Sequence, residues 1–234
     1  MFKKKNKILT YPTHIAFIMD GNRRWATERG LNKMLGHKQG AVAMKNMIST
    51  LAEYPDIRYA SFFAFSTENW NREQSEIDYL FELCYDFVDE YKEKFENMNI
   101  KFVSMGDVTK FPEKLQNILI KTAEETKNNT GLVVNFAMNY GGRDDIVRSA
   151  NIIAERGEKI TVENLKENLY SAPAPDIDLL IRTSGEMRVS NFMLYQMAYS
   201  EFYFTKKHWP DFDKRELDKA LVEFSKRNRR FGGK

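Results

Sequence analysis

The stretch His14-Ile15-Ala16-Phe17-Ile18-Met19-Asp20-Gly21-Asn22-Arg23-Arg24-Trp25 decides how the chain is read. Its apolar run has no polar alternation, so it reads as a strand covered on both faces, as in the interior of a parallel sheet. The run stops on a carboxylate, a glycine and two arginines. In open α/β sheets, ligands gather at the carboxyl ends of strands. Asp20 there suits a hard cation, and Gly21 lets backbone come close to a ligand. Arg23 and Arg24 offer charge-assisted donors to phosphate oxygens, and Trp25 offers a flat apolar wall. Taken alone, the same residues are equally well a tight turn in which Asp20 caps the next helix.

Outward from this stretch, further β-rich runs lie at Ile57 to Phe65, Ile100 to Met105, Leu132 to Met138, Leu179 to Arg182 and Glu201 to Phe204. Between them, helical periodicity marks about 38 to 53, 76 to 97, 112 to 128, 143 to 156 and 162 to 170, with a last helix at 213 to 228. Thr161 and Asp213 are expected N-caps, Asp213 in a capping box with Glu216. This alternation predicts an α/β fold: a central, mostly parallel six-stranded sheet flanked by helices. No linker or repeat divides the chain. One domain is expected from residue 14 to residue 234, preceded by a basic, flexible segment over residues 1 to 13.

Composition narrows the function classes. Of the 234 residues 42% are hydrophobic, enough for a large core, and 29% are charged, which keeps the surface wet. A net charge of +3 is too mild to argue for nucleic acid. No apolar run is long enough to span a bilayer, and a cytoplasmic protein is expected. Lys3, Lys4, Lys5 and Lys7 form either a solvated end or a peripheral contact with an anionic membrane. The single cysteine, Cys84, excludes an internal disulfide and reads as a buried apolar residue.

Two more polar clusters follow strand ends. Ser66-Thr67-Glu68-Asn69-Trp70-Asn71-Arg72 reads as a capped helix start, but capping leaves the Asn-Trp-Asn-Arg part unexplained. Arg182-Thr183-Ser184-Gly185-Glu186-Met187-Arg188-Val189-Ser190 places two arginines and three hydroxyls in one loop, which suits a diphosphate. Glu201 is a lone carboxylate in an apolar run, to be paired or to hold a metal. His37, behind Gly36, is a phosphate donor or a structural histidine. Asn139-Tyr140-Gly141-Gly142-Arg143 is accounted for by a glycine turn from strand to helix.

Together these segments, with Glu201-Phe-Tyr-Phe-Thr205 and Trp209-Pro-Asp-Phe212, resemble the cis-prenyltransferase family. They follow one another in the family's order from residue 14 to the end. The resemblance implies Mg²⁺-dependent condensation of isopentenyl diphosphate onto an allylic primer, farnesyl diphosphate. The implied product is undecaprenyl diphosphate, the lipid-carrier precursor for bacterial cell-wall sugars; a shorter or longer product is the near alternative. It implies that Asp20 holds Mg²⁺ and assists departure of the allylic diphosphate, with Glu201 as second Mg²⁺ ligand. Gly21, Asn22, Arg23, Arg24 and His37 are implied to bind the primer head group beside Trp25, with Lys33 where the family carries Arg. Arg182, Arg188 and Ser190, with Val189 between them, are implied to bind isopentenyl diphosphate. Asn69 is the position assigned to proton removal, with Ser66, Thr67, Glu68, Trp70 and Arg72 around it. A neutral amide is a weak base, so it more reasonably orients a water or the departing diphosphate. Met187 departs from the family's Gln or His.

The resemblance further implies an apolar tunnel for the growing chain and a homodimer in which Arg230-Phe231-Gly232 reaches the neighbouring site. A non-catalytic subunit on the same fold lacks the Asp20 carboxylate and the arginine loop. An all-helical trans-type synthase needs Asp-Asp-x-x-Asp, whereas Asp144-Asp145 is followed by Ile-Val-Arg. Because Asp20 is placed in a surface cleft, its replacement by Ala is expected to leave the fold intact.

Overall fold

The computed structural model describes residues 10–230. Six strands, β1 (His14–Ile18), β2 (Tyr59–Ser66), β3 (Lys101–Met105), β4 (Val133–Tyr140), β5 (Leu179–Arg182) and β6 (Glu201–Phe204), form one sheet in the order β3-β4-β2-β1-β5-β6. All five pairings are parallel. The expected α/β architecture is therefore present.

The helices are α1 (Asn22–Thr27), α2 (Lys33–Leu51), α3 (Gln74–Asn97), α4 (Glu113–Glu125), α5 (Gly142–Glu155), α6 (Val162–Asn168) and α7 (Lys214–Lys226). Alternation along the strands splits the core. Ile15 and Phe17 of β1, Val134 and Phe136 of β4 and Leu179 and Ile181 of β5 pack with residues of α2, α3, α4 and α7. Ala16, Ile18, Ala137 and Leu180 face the other way, onto Phe192, Met193 and Met197.

Three local readings change. Helix α1 has no place among the periodic stretches, because six residues carrying two arginines show no apolar periodicity, and its N-cap is Gly21 rather than Asp20. Helix α2 starts at Lys33 rather than near 38, because the Asn32 side chain accepts the amide of Met34. Asp213 does cap α7, accepting the amides of Arg215 and Glu216, but the Glu216 carboxylate accepts Lys219 instead of closing a capping box. Thr161 caps α6 in a box with Asn164.

Residues 1 to 9 of the basic N-terminal segment lie outside the described residues. The part that is described belongs to the body: Pro12 is buried, Tyr11 packs on Tyr54, and the Thr13 amide donates to Asp178 Oδ2 at 2.8 Å. No helix among the described residues is long and apolar enough to cross a membrane.

Candidate active site

Chain order reverses about β1: β2 lies on one side of it and β5 on the other. A crevice therefore opens beyond the carboxyl ends of β1, β2 and β5. It is a cleft of about 860 Å³ lined by Asp20, Gly21, Asn22, Arg23, Arg24, His37, Ser66, Glu68, Asn69, Arg72, Arg182 and Ser190. Segments more than a hundred residues apart in sequence thus meet.

Arg182 ends β5 beside Ile18, which aims its guanidinium at Asp20. Nε and Nη2 donate to Asp20 Oδ2 at 2.8 and 2.7 Å, and Nη1 donates to Ser190 Oγ at 2.9 Å and to the Arg188 carbonyl. The Arg182 side chain is 4% exposed and Asp20 33%, so the carboxylate faces the cleft while the arginine backs it.

Gly21 N-caps α1 at φ +101°, and a Cβ there would meet Ser184 Oγ and His208 Nδ1 at 2.6 Å. Only glycine fits this turn. Helix α1 then lies against Gly36 and Gly40 on one face of α2: a Cβ on Gly36 would fall 2.0 Å from the Asn22 carbonyl oxygen. This packing carries Arg23, Arg24 and His37 to the cleft. His37 is 8% exposed; burial first, then Arg72, pushes its pKa down, against the pull of Glu76. Asn22 Oδ1 is buried without a hydrogen-bond partner, as expected where a ligand supplies one, and His37 Nε2 meets only the Glu76 carboxylate, at 3.4 Å.

A 3-10 turn over Thr67–Asn71 follows β2. The Asn69 side-chain oxygen accepts the Ser66 amide at 3.1 Å, which leaves its NH₂ group as a donor. Ser190 and Asn191, at φ +48° and +61°, are consecutive non-glycine residues in the left-handed region, a strained geometry that tends to occur at ligand loops. Asn191 ties the loop down, donating to Glu68 at 3.0 Å and accepting the Arg143 amide at 2.9 Å.

Other expected residues stand elsewhere. Trp25 faces away from the cleft wall, donating to Asp211 at 2.7 Å with Arg29 over its ring. Trp70 packs on Phe65 and Phe81 and donates to Asn139. Thr67 points to Asp144, Lys33 is exposed in the first turn of α2, and Val189 packs below the loop. Arg188, by contrast, stands at the cleft rim, exposed and sharing Glu186, at 2.6 Å, with the cleft residue Arg24, at 2.9 Å. Glu201 stands furthest from its expected place. It begins β6, level with Leu179 and through it with Ile15, whereas Asp20 lies past Ile18 at the other end of β1, with three residues, roughly 10 Å, of strand between those levels. Glu201 is paired with Arg227 at 2.8 Å and is not among the residues that line the cleft with Asp20.

Arg143, Asn191, Glu76 and Glu186 were not anticipated. Arg143 follows two glycines at a strand end, a signal that a turn alone had seemed to explain. The two glutamates act through ion pairs between elements, which no local pattern shows.

Behind the cleft, Met19, Asn22, His37, Ala64 and Leu80 also line an apolar pocket bounded by Met44, Leu83, Cys84, Phe87, Phe136 and Met138. It holds only about 90 Å³, because these side chains fill most of the path. The expected tunnel is, as the chain stands, a narrow pocket between α2, α3 and the sheet.

The family model described as "Putative undecaprenyl diphosphate synthase" matches residues 18–232. The chain belongs to the undecaprenyl diphosphate synthase family. This prenyltransferase is 47% identical to an isoprenyl transferase of Fusobacterium nucleatum subsp. nucleatum, over 95% of this chain and 96% of that protein. Its structure is similar to that of a "probable undecaprenyl diphosphate synthase" from Campylobacter jejuni, with TM-score 0.82 and 37% identity over 96% of this chain and 100% of that one. It is also similar to lavandulyl diphosphate synthase of Lavandula x intermedia in complex with dimethylallyl diphosphate, with TM-score 0.91 and 36% identity over 95% and 98% of the two chains. As a cis-prenyltransferase, the chain takes isoprenyl diphosphates as substrates.

Proposed function

We propose that this prenyltransferase adds isopentenyl diphosphate units to an allylic primer of the farnesyl diphosphate type and releases undecaprenyl diphosphate. The convergence of three arginine-bearing segments on one cleft that continues into an apolar pocket carries the reading. Ionising an allylic diphosphate leaves a carbocation beside a departing anion, so the site needs preorganised positive charge at the leaving group. Arg23, Arg24 and His37, with the backbone of Gly21 and Asn22, bind the primer diphosphate. Arg182, Arg188 and Ser190 bind isopentenyl diphosphate. Asn69, with Ser66 and Arg72 beside it, donates from its NH₂ to a water or a departing oxygen.

The residues fit Mg²⁺ in one way. No cluster of three metal-ligating side chains occurs among the described residues, and Mg²⁺ commonly takes one carboxylate with substrate phosphates and waters. Asp20 is that carboxylate: Arg182 engages Oδ2, and Oδ1 is left for the cation. The metal supplies charge neutralisation on the departing diphosphate.

A homodimer over the β6 edge is part of the proposal. β6 ends the sheet, and Tyr199, Phe202 and Val222 are exposed beside it. Phe231 and Gly232 of the C-terminal motif lie outside the described residues. The lysine-rich N-terminus supplies charge for a peripheral contact with an anionic membrane, to which an apolar product must pass.

Incubation with farnesyl diphosphate and labelled isopentenyl diphosphate, with and without chelator, tests the reading. Chelator-sensitive formation of a polyprenyl diphosphate is expected, and absence of any product overturns it. The narrow pocket favours a shorter product as the second reading, and the chain length found decides between them.

A further inference from the structure

Glu76 stands in the first turn of α3, where a carboxylate ordinarily serves the helix N-terminus. Here it turns aside to three groups from three other segments. Arg72 Nη1 lies 3.0 Å from Oε1, His37 Nε2 lies 3.4 Å from the same oxygen, and Arg23 Nη1 lies 3.6 Å from Oε2. The Glu76 side chain is 13% exposed, more enclosed than either arginine it meets.

Arg23, His37 and Arg72 line the cleft and are groups that a diphosphate would engage. Two guanidiniums converging on an imidazole repel one another, and burial of His37 strengthens that repulsion. One carboxylate cancels part of it. A diphosphate brings more negative charge to the same donors than a carboxylate does, and it cannot share them with Glu76 without like-charge contact. Helix α3 continues from Glu76 to Leu80, Leu83 and Cys84, which line the apolar pocket. Release of Glu76 therefore acts on the helix turn at the pocket mouth.

We propose that Glu76 is a placeholder anion, which holds Arg23, His37 and Arg72 converged while the cleft contains no diphosphate and yields them when one binds. The inference rests on the reading of the cleft as a diphosphate site. Glu76 is in this sense a positioning residue, acting through the three groups it holds.

Calorimetric titration with inorganic diphosphate tests it on the parent chain, Glu76→Gln and Glu76→Asp. Gln keeps a hydrogen-bond acceptor for Arg72 but removes the competing charge. The Gln variant is expected to bind diphosphate about tenfold more tightly, a gain that mere loss of structure would not produce. Asp keeps the charge and is expected to stay within about threefold of the parent. Equal or weaker binding by the Gln variant, or an Asp variant as tight as Gln, overturns the inference alone. A parent chain that does not bind diphosphate overturns both the inference and the proposed function. Should the Gln variant not fold, a crystal structure of the parent with diphosphate decides. Glu76 is expected beyond about 4 Å from all three groups, with diphosphate oxygens in its place. A Glu76 still paired with them refutes the idea.

Discussion

Asp20 and Arg182 are joined through one oxygen: Arg182 Nε and Nη2 both donate to Asp20 Oδ2, at 2.8 and 2.7 Å. The pair places a negative group just past the end of β1 against a buried positive group at the end of β5, in the crevice. Asp20→Ala is expected to lower turnover by roughly 10²–10³-fold or more, because charge development on the leaving group loses its counterpart. It is also expected to cost stability, contrary to what a surface carboxylate suggests. Arg182 would keep only the neutral acceptors Ser190 Oγ and the Arg188 carbonyl. The cost is roughly 1–2 kcal/mol, discounted for the exposure of Asp20. Urea denaturation measures it, and Asp20→Asn, which keeps an acceptor, should recover most of the stability but not the turnover.

Asn69 separates two chemical roles. Its carbonyl oxygen is taken by the Ser66 amide, so the group that remains is a donor. Asn69→Asp preserves the acceptor, removes the donor and adds a negative charge near the diphosphates. Turnover is expected to fall at least about 100-fold, and the pH–rate profile should gain no new basic limb. If Asn69 accepted the proton itself, a carboxylate would match or exceed the amide, and the pH–rate measurement would show it.

Gly21 and Gly30 both have positive φ, +101° and +66°, but only Gly21 has neighbours in the way of a Cβ. Gly30→Ala is expected to cost roughly 1 kcal/mol, the ordinary penalty for a left-handed alanine. Gly21→Ala adds the clash with Ser184 and His208 and should cost more than about 2–3 kcal/mol. Because α1 must shift to relieve the clash, affinity for diphosphate should fall with it. Denaturant melts and diphosphate titrations on the two variants give the comparison.

Sequence reading served well where one physical rule dominates. Ile15 to Ile18 of β1 and Leu179 to Ile181 of β5 are apolar without a break, and β4 is interrupted only at Asn135 before Met138; burial on both faces explains such runs, so the sheet was legible. Asp20, Arg182 and Ser190 were legible as cleft-lining groups because polar residues follow strand ends. Helix α1 was not, since its helical geometry comes from the fit of Asn22 against Gly36 and Gly40, a contact between elements. Glu201 was misplaced for a similar reason. The run Glu201 to Phe204 already puts it at a strand start, but only the parallel register, level with Leu179 and through it with Ile15, shows that this start lies at the opposite end of the strands from Asp20. The pairing of Glu76 with Arg23, His37 and Arg72 depends on four segments at once.

Cys84 gives access to product length. It lines the apolar pocket, and burial pushes its thiol up to about 12, so it is a packing group rather than a nucleophile. A benzyl group in its place would occupy much of a pocket of about 90 Å³. Cys84→Phe is therefore expected to shorten the polyprenyl product while leaving inorganic diphosphate affinity within about twofold, since no head-group contact changes. Mass spectrometry of the products reads the first effect and titration the second.

His14 should set part of the acid stability. It is fully buried at the start of β1: Nδ1 donates to the Pro175 carbonyl at 2.8 Å, so Nε2 accepts from Ser61 Oγ at 2.8 Å, and Asn135 donates to the same oxygen at 3.0 Å. Protonation at Nε2 would deprive the Ser61 hydroxyl of its acceptor and place a charge in the core. Burial, outweighing the pull of the Pro175 carbonyl, Asp178 and Asp176, lowers the pKa from 6.5 to about 4. Between those values the unfolded chain binds the proton and the folded chain does not, so folding stability falls as pH drops through this window and is fully present above it. The shift corresponds to roughly 3 kcal/mol. Carboxylates titrate in the same range, so the difference between the parent and His14→Gln isolates the ring. The variant should be less stable at neutral pH, yet lose roughly 3 kcal/mol less than the parent between pH 6.5 and 4 in urea denaturation. An unchanged slope would mean that the proton is taken up elsewhere.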